Sequence, residues 1–221
     1  MKGSHVKSTR IRVILAVAAI GVALTACSPN QAGAAAIVGG ERISSGELDR
    51  NVREYEAALA KANLSASQLQ FQDSVPQLVL FQLANAKQYA QVAGSKGITV
   101  TESEIDQVIA GQGGQEKFEQ QMLQQAVAPS RAREFLKSQV MVSKLVAKYG
   151  GGTDEAAIQR GQQQAIKDLQ ATPITWNPRY GKLNDQRSEQ QPSVFIDAGR
   201  FGAPGAPGPA DAPPAPPQQQ P

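Results

Sequence analysis

Between residues 43 and 170 the apolar positions fall at helical spacing, in blocks divided by glycine or proline. Leu48, Val52, Tyr55 and Leu59 form one stripe of a helix that ends near Ala62-Asn63. Ser44 and Glu47 make a capping box at its start, and Ile43 and Leu48 a hydrophobic staple. Leu64-Ser65 with Gln68 and Leu69 repeats that pattern and predicts a short helix. Ser74-Val75-Pro76-Gln77 opens a helix that runs to Ala93. It is apolar nearly all round, which places it centrally. Gly97 followed by Ile98 reads as a left-handed stop. Val100-Thr101 with Glu104 and Ile105 starts a short helix that stops at Gly111. After Gly113-Gly114 another runs to about Val127, with Phe118, Met122 and Leu123 on one face. Pro129 breaks it, and Ser130 to Tyr149 is a long helix with Lys144 and Lys148 at its negative end. Thr153-Asp154-Glu155 starts a last helix with a narrow stripe of Ile158, Ala165, Ile166 and Leu169, ended by Pro173.

Strand patterns are few. Ala35 to Val38 is a short apolar run that enters a turn at Gly39-Gly40. Ile174-Thr175-Trp176 alternates, and Val194-Phe195-Ile196 is a last apolar patch. From Gly202 the chain is almost wholly Gly, Ala, Pro and Gln, the composition of a disordered tail. Asn63-Leu64-Ser65 matches a glycosylation acceptor, but its place at a helix end reads as capping. The expected fold is mainly α.

The start of the chain changes the picture of where it works. Lys2, Lys7, Arg10 and Arg12 precede an unbroken apolar or small run from Val13 to Leu24. That run suits a signal-peptide core and falls short of a bilayer span. Leu24-Thr25-Ala26-Cys27 follows and resembles a bacterial lipobox. Cys27 is the only cysteine, so an internal disulfide is excluded and acylation at that thiol accounts for it. Two acyl chains make a stable anchor. The alternative is an ordinary signal peptide or an uncleaved amphipathic anchor. The expected division is a signal peptide over 1–26, a tether over 27–34, a helical domain over 35–181, an extended segment over 182–201 and the tail over 202–221. The expected location is a cell membrane, on its extracytoplasmic face.

Charge follows from that division. The whole chain has 22 basic and 19 acidic residues. Residues 1–26 hold four basic and no acidic ones, which leaves 18 against 19 in the mature part. Nothing there proposes nucleic acid as a partner. The one histidine, His5, sits in the leader. With Cys27 acylated, Ser-His and Cys-His nucleophile pairs and imidazole or thiolate zinc sites are excluded. Neither a phosphate loop nor a dinucleotide fingerprint occurs, so no nucleotide and no cofactor is expected. Glu102, Glu104 and Asp106 cluster, but at a helix start, where acids favour the dipole.

The order of elements, with three stretches, carries a resemblance. The stretches are Ala36-Ile37-Val38-Gly39-Gly40 leading into Glu47-Leu48, Gly97 to Ile105, and Trp176-Asn177-Pro178-Arg179-Tyr180-Gly181. Over about residues 35 to 181 the chain resembles the N-terminal chaperone domain of the SurA-type family, related to the PrsA-type foldases. The resemblance implies a helical cradle for unfolded clients beside a two-stranded element, with Ile37 near Ile174 and Trp176. Fuller members of that family insert parvulin prolyl-isomerase domains of roughly 90–100 residues. Here only 24 residues separate Tyr149 from Ile174, so isomerase activity is not expected.

Two functional classes fit these features. One is a membrane-tethered, ATP-independent chaperone-like binder of unfolded or partly folded exported proteins. Its candidate client-binding residues are Phe71, Phe81, Phe118 and Met122, which should then be partly exposed in one patch. The other is an envelope lipoprotein that acts as structural adaptor for one dedicated partner.

Overall fold

The structure is a computed structural model and describes residues 32–152 and 154–198. Cys27, the lipobox and the tail from Gly202 lie outside the described residues. The chain enters through β1 (Ala34–Val38), turns at Gly39-Gly40 and returns as β2 (Glu41–Ser44). Both glycines have positive φ, 53° and 89°, as the tightest hairpin turn requires. Far along the chain β3 (Ile174–Trp176) pairs antiparallel with the other edge of β1. The sheet order is therefore β2-β1-β3, three strands where two were expected. β2 escapes the pattern because it is an edge strand with one buried residue, Ile43, among charged and polar ones. Ala36 pairs with Trp176 and Val38 with Ile174, which sets Ile37 opposite Thr175, between the two residues expected near it.

Six helices make up most of the rest. α1 (Ser45–Lys61) starts under the Ser44 hydroxyl, which accepts from the Glu47 amide at 3.1 Å. The reciprocal half of the box is absent, because the Glu47 carboxylate instead takes Arg131 at 3.0 Å. Asn63, at φ 57°, is the left-handed residue that ends α1, and Leu64 N–H bonds back to Leu59 O. No helix follows at 64–70. The Gln68 side-chain oxygen does accept from the Ser65 amide at 2.7 Å, but the Gln68 amide goes to Ser65 O, and the stretch is a run of i+3 turns closed by Gln70 at φ 53°.

α2 (Val75–Ser95) is central, packed on α1, β1, α5 and α6. It ends as predicted, with Gly97 at φ 72° and Ile98 N–H on Ala93 O. α3 (Glu102–Gly111) carries the full capping box of Thr101 and Glu104. α4 (Gln115–Gln124) stops three residues early. Ala126 takes the left-handed position at φ 57°, where a glycine would have announced the end. One 3₁₀ turn (Pro129–Arg131) leads into α5 (Ala132–Gly150), and α6 (Glu155–Gln170) returns along it. Lys144 and Lys148 do not serve their own helix end. They donate to Thr99 O at 3.0 Å and to Lys96 O at 2.9 Å, so Lys148 caps the end of α2.

The face of α6 differs from the expected stripe. Ile158 and Ile166 are 39% and 51% exposed, and the buried residues are Ala157, Gly161 and Ala165. A Cβ on Gly161 would stand 2.0 Å from Val146 O, and one on Gly150 2.1 Å from Ala157 O. The two backbones touch, and only small residues permit it.

After β3, β4 (Lys182–Leu183) pairs with β5 (Phe195–Ile196). This hairpin docks on the start of α2, where the Asp73 carboxylate accepts from Val194 N–H at 2.7 Å and Phe195 N–H at 3.0 Å.

Candidate functional site

The four candidate residues do not form one patch. Phe118 is wholly buried among α3, α4 and α5, and Met122 is 5% exposed. Phe71 and Phe81 are half-buried on the sheet side. Phe81 stacks on Trp176 at 6.2 Å and meets the edge of Phe195 at 6.4 Å. Phe71 packs against the core formed by the sheet, α1 and α2. An aromatic at helical spacing is most simply core, and Phe118 is that case.

Met122 has a second side. It forms the floor of a groove of about 480 Å³ between the C-terminal half of α1 and α4. Leu123, Val127, Pro129, Ala58 and Ala62 complete its apolar surface, with Lys61 and Glu119 on the rim. Ala58 and Ala62 leave the room, and Met122 supplies an unbranched side chain that adapts its shape.

α1 braces this groove at one end. The Tyr55 hydroxyl, buried under the floor, donates to Leu123 O at 2.7 Å. Burial pushes its pKa up to about 12. Glu54 accepts from both the amide and the hydroxyl of Ser130, each at 2.7 Å. The groove opens beyond Tyr55, along Ala58 and Ala62.

On the other side of the α4–α5 connection is a smaller cavity of about 70 Å³, which Val127 also lines. Asn51, on α1, reaches into its lining. Asn51 is not among the residues expected at a site. The available signal was an asparagine three residues after Leu48 and four before Tyr55, on an otherwise apolar stripe.

The acidic cluster is occupied by ion pairs. Arg133 reaches Glu102 at 2.9 Å and Asp106 at 2.8 Å, and Lys144 bonds Glu104. The Lys144 bond first, and the Thr101 amide next, hold the Glu104 carboxyl down at about 2. A group so acidic stays ionised near neutrality and shuttles no proton there. Among the described residues no group of three or more His, Cys, Asp or Glu could hold a metal, and no helix is long and apolar enough to cross a membrane.

The sequence profile of the SurA-like N-terminal domain family matches residues 3–146. The chain belongs to this family. The match spans nearly two thirds of the chain and covers every groove residue named above. It stops inside α5, so β3 and its closure of the sheet lie beyond the matched residues. Searches of curated proteins and of solved structures found no match. Membership of the SurA-like family points to a chaperone-like periplasmic role that acts on polypeptides. A SurA-like N-terminal domain by itself is not catalytic, and no parvulin domain is matched.

Proposed function

We propose that the protein is a membrane-tethered, ATP-independent, chaperone-like binder of unfolded or partly folded exported polypeptides. Acylated Cys27 holds it on the extracytoplasmic face, and it catalyses no reaction. The observation that carries this reading is the open apolar groove over Met122 in a domain of the SurA-like family. Client apolar side chains leave water against Ala58, Ala62 and Pro129, over a floor of Met122 and Leu123, each buried methylene contributing about 0.8 kcal/mol. Such contacts are non-directional, so many sequences fit weakly and none needs nucleotide for release.

The test uses the chain from residue 27 onward with Cys27→Ala, mixed with chemically unfolded clients and followed by light scattering. Suppression of aggregation near one-to-one is expected for several unrelated clients. Ala58→Trp and Ala62→Trp fill the groove from exposed or half-exposed positions. They should keep the fold and lose most of the suppression. A folded protein that suppresses no client would overturn the reading. One tight partner among many inert ones would make it the adaptor instead.

A further inference from the structure

Away from the groove over Met122, aromatic rings gather on the sheet side. Phe81 stacks on Trp176, and Phe195 meets Trp176 edge to face at 5.1 Å. Phe195 is buried, whereas Phe81 and Trp176 keep part of their surface in water. Leu183, opposite Phe195 in the β4–β5 register, is 44% exposed and extends the apolar surface. Tyr180 is held close by, because Gln77, one turn before Phe81 on α2, donates to the Tyr180 carbonyl at 2.9 Å. The polar atoms of this patch are donors without acceptors. Neither the Trp176 indole N–H nor the Tyr180 hydroxyl makes a hydrogen bond among the described residues, and neither is sealed from water. An indole N–H can only donate. Rings with one wet donor edge suit a partner that is apolar and brings carbonyl oxygens.

We propose that this patch is covered by the chain's own proline-rich tail, through residues 203–217. Proline has no N–H, so a backbone rich in it offers acceptors and few donors, the complement of Trp176 and Tyr180. Its rings, with the alanine methyls between them, form an apolar ridge of the kind that docks on aromatic surfaces. Proline also fixes φ beforehand, so little freedom is lost on docking. Charge agrees: beyond Arg200 the tail carries one charged side chain, Asp211, so almost nothing in it resists leaving water. Position agrees as well. The described chain ends at Ala198, three residues past Phe195, so the tail starts at the patch. Pro204 is six residues beyond Ala198. At about 3.1 Å per residue that is a reach of roughly 19 Å, enough to turn back over Trp176. A link this short holds the tail at an effective concentration on the order of 1 mM, an advantage that neither a lipid surface nor a second copy has. The inference makes no use of the groove and stands or falls apart from it.

Trp176 is the only tryptophan, so its fluorescence reads this patch alone. The full chain in phosphatidylcholine vesicles is compared with a chain that ends at Phe201, with acrylamide as the quencher. With a Kd of about 1 mM or lower the attached tail covers the patch at least half the time, so its removal should raise quenching about twofold or more. A synthetic peptide of residues 202–221 should reverse the change saturably. The same peptide with serine in place of each proline should not. If the shortened chain does not fold, the full chain with serine in place of each proline from Pro204 to Pro217 makes the same comparison. Equal quenching with and without the tail overturns the proposal, and so does a serine peptide that protects as well as the proline one. Quenching of Trp176 by brominated lipid in the full chain would make the membrane the occupant, and quenching that rises on dilution would make it a second copy. Either result overturns the proposal too.

Discussion

The α5–α6 contact and the α1–α4 contact both use small residues four apart, and they end in opposite states. On α6, Ala157, Gly161 and Ala165 bring the backbone down onto Val146 and Gly150 until no Cβ fits at the crossing. At the end of α1, Ala58 and the capping residue Ala62 look across about 480 Å³ at Met122 and Leu123. Small residues close an interface only where the facing helix is small as well. α5 offers glycine and bare backbone, whereas α4 offers two long side chains that hold it off. The closed contact gives rigidity and has no surface to lend. The open one keeps apolar surface in reserve.

The sharpest way to break that contrast is Gly161→Leu. Its Cβ has a backbone oxygen in the way, which cannot rotate aside as a side chain could. A loss of about 3 kcal/mol or more is expected in urea unfolding. A loss under about 1 kcal/mol would show that the helices part easily and that closeness is incidental. Next is Tyr55→Phe, which takes the hydroxyl donor from the buried Leu123 carbonyl at the braced end of the groove and leaves it the Ala126 amide. The expected loss is about 0.5–1.5 kcal/mol, with faster hydrogen exchange at the amides that end α4. Unchanged exchange there would mean the brace lies elsewhere.

The smallest effect concerns a third kind of contact, the half-buried pairing of α3 with α5 through Glu104 and Lys144. The Glu104 carboxyl is depressed to about 2 from 4.5, so the folded state takes up that proton more reluctantly than the unfolded chain. The stabilisation is therefore present above the ordinary value and fades as pH falls from there towards about 2. Lys144→Met should raise the carbon-13 titration midpoint of Glu104 and flatten the acid limb of thermal stability in that window. A midpoint that stays put would assign the depression to the Thr101 amide alone.

What was legible in the sequence was local. Ser44, Ser74 and Thr101 announce three helix starts because a cap and its partner lie within three residues. Gly97 announces an end for the same reason. The end of α4 was missed because Ala126, not glycine, takes the left-handed turn. The buried face of α6 was missed because counting apolar residues favours Ile158 and Ile166, while the contact is made by backbone over Gly161. At the site, Met122 was named for its adaptable side chain and borders the groove, and Phe118, named with it for its place on the same helix face, lies wholly in the core. Periodicity tells which side of a helix faces in, and not which of its residues borders a gap. The extra strand, β2, was missed although it is local, because only Ile43 in it is buried. The Asn51 cavity depends on residues brought together from distant parts of the chain, and no local window holds them.

The order β2-β1-β3 has a mechanical consequence. The strand by which the chain enters the domain is the middle one, bonded on both edges. Tension applied to residues before Gly33 runs along the axis of β1 and shears two ladders in parallel, instead of peeling one bond at a time. Further bonds from Asn177 to Ala34 O and from Gln91 to Val38 O share that load. The groove begins near Ala58, 13 residues into α1 from Ser45, or roughly 20 Å along the helix. A pull at the start of the chain is thus taken up by the sheet, and the surface over Met122 stays out of the path of the force.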